Sequence, residues 1–211
     1  GDGKMDLALL CGTKDPTLRT TNHFVRIFYQ SELGFERTRF VDTNITGDQL
    51  AAQDLDDDGY ADLIVRTIEG DVRIYWGNSD GFDVSSSALL PVELDTSPLS
   101  HEEQQAEDLF SEYNVDARPL VTVVDINCTV NDNSYDNVPY VFVARHRSVA
   151  LVPVAKDRSF GPELVLECRQ AMSLASGDIN GNGFTDLVIA CRESHKNGEC
   201  SWIYWGGNDG Y

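Results

Sequence analysis

Short apolar runs, each cut off by a polar or glycine-bearing turn, recur along the chain: Leu50-Ala51-Ala52, Leu63-Ile64-Val65, Ile74-Tyr75-Trp76, Val121-Thr122-Val123-Val124, Tyr140-Val141-Phe142-Val143, Leu174-Ala175-Ser176, Leu187-Val188-Ile189-Ala190 and Ile203-Tyr204-Trp205. Runs this short, bounded by turn residues, predict strands rather than helices. Asn78-Ser79-Asp80-Gly81 and Gly207-Asn208-Asp209-Gly210 follow two of the runs. Asn and Gly accept the positive φ of a hairpin turn, so a further strand is due after each. One stretch breaks the pattern. Ser100 with Glu103 makes a capping box, and Ala106, Leu109, Phe110 and Tyr113 share one helical face. That predicts a short amphipathic helix near 100–113, packed on its own sheet or docking a partner.

The turns themselves repeat. Asp54-Leu55-Asp56-Asp57-Asp58-Gly59-Tyr60-Ala61-Asp62-Leu63 lies over Asp178-Ile179-Asn180-Gly181-Asn182-Gly183-Phe184-Thr185-Asp186-Leu187 with acid or amide at positions 1, 3, 5 and 9, glycine at 6 and an aromatic at 7. Asp2, Gly3, Asp6 and Leu7 are the tail of a third copy, and Asp125-Ile126-Asn127 opens a fourth whose loop is swollen by residues 128–138. A second signature follows each loop. Ile74 to Phe82 matches Ile203 to Tyr211 without a gap, Ile27 to Phe35 is a diverged version, and Val152 to Phe160 keeps the outline. Loop starts at Asp54, Asp125 and Asp178 are 71 and 53 residues apart, enough for four short strands per repeat.

Oxygen donors at alternate positions of a tight loop suit a hard cation. Calcium takes about six to eight oxygens, and a glycine at position 6 allows the sharp bend. The candidate ligands are Asp54, Asp56, Asp58 and Asp62 with the Tyr60 carbonyl, and Asp178, Asn180, Asn182 and Asp186 with the Phe184 carbonyl. Asp2 and Asp6 remain of the third loop, and Asp125 and Asn127 are the weaker fourth. An EF-hand is excluded, because position 12 is Val65 or Ile189 where a glutamate is required. The competing account is a set of Asx turns held by side chain–backbone hydrogen bonds. Four carboxylates packed together without a cation repel, which favours calcium at the first loop.

These residues resemble the FG-GAP or VCBS repeats of the propeller heads of integrin α-subunits and of many secreted bacterial proteins. The resemblance implies an all-β, calcium-binding β-propeller of four-stranded blades. Its expected divisions are 1–47 (a partial blade), 48–119 (a blade with the inserted helix), 120–170 (a blade) and 171–211 (a partial blade). The chain then reads as a section of a longer ring, with three to four blades represented.

Composition narrows the function. A formal charge of −19, from 35 acidic and 16 basic residues, repels a phosphate backbone, so no nucleic-acid partner is expected. No apolar run reaches membrane-spanning length, so no membrane insertion is expected. Cys191 and Cys200 flank a polar turn and form a candidate disulfide; Cys11, Cys128 and Cys168 are left open. With the sequons at Asn44 and Asn127, this leans towards an extracellular or cell-surface protein. His23, His101, His146 and His195 are scattered, and no nucleophile elbow or phosphate-binding loop is present, so no enzyme is expected. The expected role is binding, adhesion or assembly, with a protein or glycan ligand or further copies of the chain as partner. A lectin using Trp76, Trp205, Tyr75 and Tyr204 is the alternative, although an aromatic recurring in each repeat also suits packing. A carbohydrate-active enzyme would draw on Arg145, His146 and Arg147, the compact cationic cluster.

Overall fold

The structure is a computed structural model that describes residues 4–14, 21–92, 120–127, 137–145, 147–168, 171–191 and 201–211. Among them there are strands and no helix. The first sheet holds β1 (Leu7–Lys14), β2 (Thr21–Ser31) and β3 (Gly34–Asp42); the second holds β4 (Gln49–Gln53), β5 (Asp62–Arg66), β6 (Val72–Asn78) and β7 (Gly81–Leu89). The third holds β8 (Val121–Asp125), β9 (Pro139–Ala144), β10 (Ser148–Pro153) and β11 (Leu164–Glu167), and the fourth β12 (Ala171–Gly177), β13 (Asp186–Cys191) and β14 (Ser201–Tyr204). Each sheet is a meander in which a strand bonds its neighbours in sequence. The predicted helix near 100–113 lies outside the described residues.

Register shows that the diverged Ile27–Phe35 segment is structurally the same element as Ile74–Phe82. Between β6 and β7 the pairing shifts from Tyr75 to Gly77, then continues as Gly77↔Phe82 and Asn78↔Gly81. Between β2 and β3 it shifts from Phe28 to Gln30, then continues as Gln30↔Phe35 and Ser31↔Gly34. In each case a single residue, Trp76 or Tyr29, stands opposite four residues of the partner strand, so the extra residues of these equivalent irregularities lie on β7 and β3.

By contacts the chain divides into two compact units, one of Gly1–Pro91 with Val121–Val123 and Lys156–Arg158, the other of Val92–Leu120, Val124–Ala155 and Ser159–Tyr211. The core of the first unit is Val25, Ile27, Ile45, Leu63, Val65 and Tyr75, with Leu10, Tyr29 and Phe82 packed against it. Leu63 and Val65 alternate with the equally buried Ile64, so β5 carries an unbroken apolar run. In the second unit Tyr140, Phe142 and Ala144 of β9 meet Val149 and Leu151 of β10 and Leu187 and Ile189 of β13. The period of two puts each set on a single face.

Cysteine pairing differs from the hairpin bridge expected from the sequence. Cys191 is joined to Cys168, 23 residues earlier, and not to Cys200. The reason is the face on which Cys191 lies. It follows Leu187 and Ile189 at alternate positions of β13 and points with them into the apolar cluster that already contains Cys168 and Ala171. Cys11 is a free thiol.

Candidate functional site

In the first acidic loop, between β4 and β5, the backbone wraps around its own side chains. Asp54 accepts the N–H groups of Asp58 (3.2 Å) and Gly59 (2.9 Å), and Asp58 accepts that of Tyr60 (2.9 Å). Two left-handed residues close the loop, Asp57 at φ 60° and Gly59 at φ 88°. The second is glycine because a side chain there is strained. These Asx bonds bring Asp54, Asp56 and Asp58 together with a ligand oxygen from each lying within 4.8 Å of the others. Oxygens on opposite sides of a calcium ion are about 4.6–5.2 Å apart, so the donor set fits that ion in both chemistry and spacing. Turn bonding and cation binding are thus compatible in this loop.

Asp62 is not in that group. It is fully buried at the start of β5, with Oδ2 accepting the N–H of Leu55 (2.9 Å) and Oδ1 that of Gly77 (2.8 Å). Burial pushes its carboxyl up to about 6, against the two backbone donors, with Asp56 and Asp58 adding repulsion. Asp186 repeats the arrangement: Oδ2 accepts from Ile179 (2.9 Å), and Oδ1 accepts from Gly206 (2.8 Å). Asp6 repeats half of it, accepting the N–H of Gln30 at 3.0 Å. Position 9 of the loop is therefore bonded in each of these repeats to the residue that follows the recurring aromatic, Trp76, Trp205 or Tyr29. In β9 the corresponding first residue is Pro139, whose carbonyl accepts from Val154 instead.

The second loop is built alike but carries less charge. Asp178 accepts from Gly181 (2.7 Å), Asn182 (3.0 Å) and Gly183 (2.8 Å), and Asn180 accepts from Asn182 (3.0 Å). Asn182 accepts from Phe184 (2.9 Å) and donates Nδ2–H to the Gly206 carbonyl (2.9 Å), a bond that an aspartate cannot make. Asn127 also joins this loop. It donates Nδ2–H to the Gly183 carbonyl (2.9 Å), while its Oδ1 accepts from the backbone and hydroxyl of Thr185 (2.6 and 2.9 Å). Asp125 is an exposed residue at the end of β8, and Asp2 lies outside the described residues.

Protein cations meet the first loop. Arg158 Nε donates to Asp56 Oδ2 at 2.6 Å, its second contact reaches Asp58 at 3.3 Å, and its guanidinium lies 4.9 Å from the centre of the Trp76 ring. The bond to Asp56 raises the Arg158 pKa further. Lys156 pairs with the exposed Asp57. Loop charge gave a reason to expect a cation in the sequence, but the distance of about a hundred residues hid which one. The two repeated tryptophans differ: Trp76 is 7% exposed and Trp205 is 51% exposed. Arg145, from the cationic cluster, is paired with Glu163, and His146 lies outside the described residues. Asn44 is exposed.

Residues 171–190, which span β12, the second loop and most of β13, match the model of the FG-GAP repeat. No curated protein matches the chain. No solved structure matches it either. An FG-GAP repeat in an all-β chain with a disulfide is consistent with a propeller-type binding module.

Proposed function

We propose that this chain forms extracellular β-propeller blades whose acidic loops bind calcium, and that it serves as a binding, adhesion or assembly module. The three converging carboxylates of Asp54, Asp56 and Asp58 carry the reading, supported by the repeat match over the homologous second loop. Calcium would be held by those three side chains in the first loop, and by Asp178 with the amides of Asn180 and Asn182 in the second. The ion would neutralise clustered charge and tie the β4–β5 and β12–β13 connections into rigid edges. Ligand recognition on such an edge requires no reacting group, so the reading is non-catalytic.

One observation favours a glycan as the ligand class: Trp205 presents half its surface to solvent, while its neighbours Trp202 and Tyr204 pack against the core of the second unit. An exposed aromatic face suits a sugar ring. Calorimetric calcium titration, with thermal melts in calcium and in chelator, tests the main reading. Binding with a clear rise in Tm supports it; no heat and no shift removes its basis. A glycan array run in both conditions then separates a lectin from a protein-binding module.

A further inference from the structure

The first acidic loop holds three carboxylates, and one of them, Asp56, has a side chain only 3% exposed. A buried carboxylate without a counter-charge is costly, so something positive belongs beside it. Arg158 supplies it, through a 2.6 Å bond to Asp56 and a 3.3 Å contact to Asp58. Trp76, itself buried, offers its face to the same guanidinium at 4.9 Å. The Arg158 backbone is left-handed, at φ 67°, where glycine or asparagine is the ordinary occupant. An arginine kept in that conformation points to a use for its side chain. The second loop gives the contrast. Its positions 3 and 5 are the neutral Asn180 and Asn182, and among the described residues no ion pair reaches it.

We propose that Arg158 is a tethered counter-ion of the Asp54–Asp58 loop, that it competes with calcium for Asp56 and Asp58, and that it thereby sets the calcium affinity of this loop. The inference rests on the calcium reading given above. Without calcium the guanidinium neutralises the loop and lies on Trp76; with calcium it leaves both. Lys156 plays no such part, because its pair with Asp57 is solvent-exposed on both sides at 71%.

The test is calcium titration by calorimetry on the full chain in an Asp178→Asn background, which removes the one carboxylate of the second loop besides the buried Asp186. Arg158→Gln is expected to tighten binding at the first loop on the order of tenfold and to lower Tm in chelator. Arg158→Lys, which keeps the charge without the planar fork, is expected to fall between, and Lys156→Gln to match the parent. Calcium is also expected to shift tryptophan emission in the parent, with that shift reduced in Arg158→Gln. If the parent binds calcium and Arg158→Gln binds no more tightly, the competition is overturned while the calcium reading stands. If neither the parent nor the native chain binds calcium, both fall together.

Discussion

Asp62 and Gly77, 15 residues apart, are joined by a 2.8 Å hydrogen bond from the glycine N–H to the carboxylate, and the bond is buried. It links the acidic loop to the Tyr-Trp-Gly element, the two signatures that recur in the sequence. Asp186 and Gly206 make the same bond at the same length. The glycine is required by space: a Cβ on Gly77 would lie 2.3 Å from the Ala61 carbonyl oxygen, and one on Gly206 2.2 Å from that of Thr185. Close approach of the strand end to the loop and the carboxylate bond are two aspects of one contact.

Replacing Asp62 or Asp186 by Asn is expected to destabilise the chain by about 1–3 kcal/mol, because an amide NH2 then faces a buried backbone N–H. Asp6→Asn, at an exposed position, should cost about 0.5 kcal/mol or less. Urea unfolding in chelator measures both. Equal losses at all three positions would refute a role set by burial.

Gly77→Ala and Gly206→Ala are each expected to cost about 1–3 kcal/mol, since the carbonyl in the way is backbone and cannot swing aside. Gly34→Ala meets no atom within 4 Å but has φ +92°, so its cost of about 1 kcal/mol comes from the backbone alone. Comparing the three by urea denaturation separates crowding from dihedral strain.

Peptide mapping under non-reducing conditions should recover a Cys168–Cys191 linkage. Closing a loop of this length contributes about 3 kcal/mol in the chain-entropy account, so Cys168→Ser should lower the urea midpoint by a corresponding amount. A Cys191–Cys200 peptide as the main species would contradict the structure.

Expression in a glycosylating secretory host should modify Asn44, which is exposed, and leave Asn127 bare. The amide nitrogen to which a glycan attaches is, in Asn127, bonded to the Gly183 carbonyl, while its oxygen holds Thr185. Glycopeptide mass spectrometry gives the occupancy of each. Heavy occupancy at Asn127 would mean that this strut does not form before modification.

Strands, turns and the repeat were legible because each depends on a local pattern: a short apolar run, an Asp-Gly turn, an acidic loop. The grouping of Asp54, Asp56 and Asp58 was legible for the same reason. The backbone bonds of Asp62 to Leu55 and Gly77 were not, since Gly77 lies 15 residues away in the other repeated signature. A signal was nonetheless present. Repeats with aspartate at the Asp62 position carry Trp-Gly or Tyr-Gln after it, whereas the repeat with Pro139 has Val154-Ala155. The partner of Cys191 was hidden because the nearest cysteine in sequence suggested a hairpin bridge, while the face of β13 selected Cys168. Arg158 was hidden by separation: nothing local to Lys156-Asp157-Arg158 refers to a loop 102 residues earlier.

The Asp62–Gly77 and Asp186–Gly206 bonds each begin and end inside a single repeat. A contact of that kind is inherited whole when the coding segment is duplicated, with no neighbour needed to complete it. Copies can then multiply, swell as the segment after Asn127 has done, or lose their acidic side chains one at a time while the strand edge stays fastened. Diversification of the loops is thereby uncoupled from survival of the sheet.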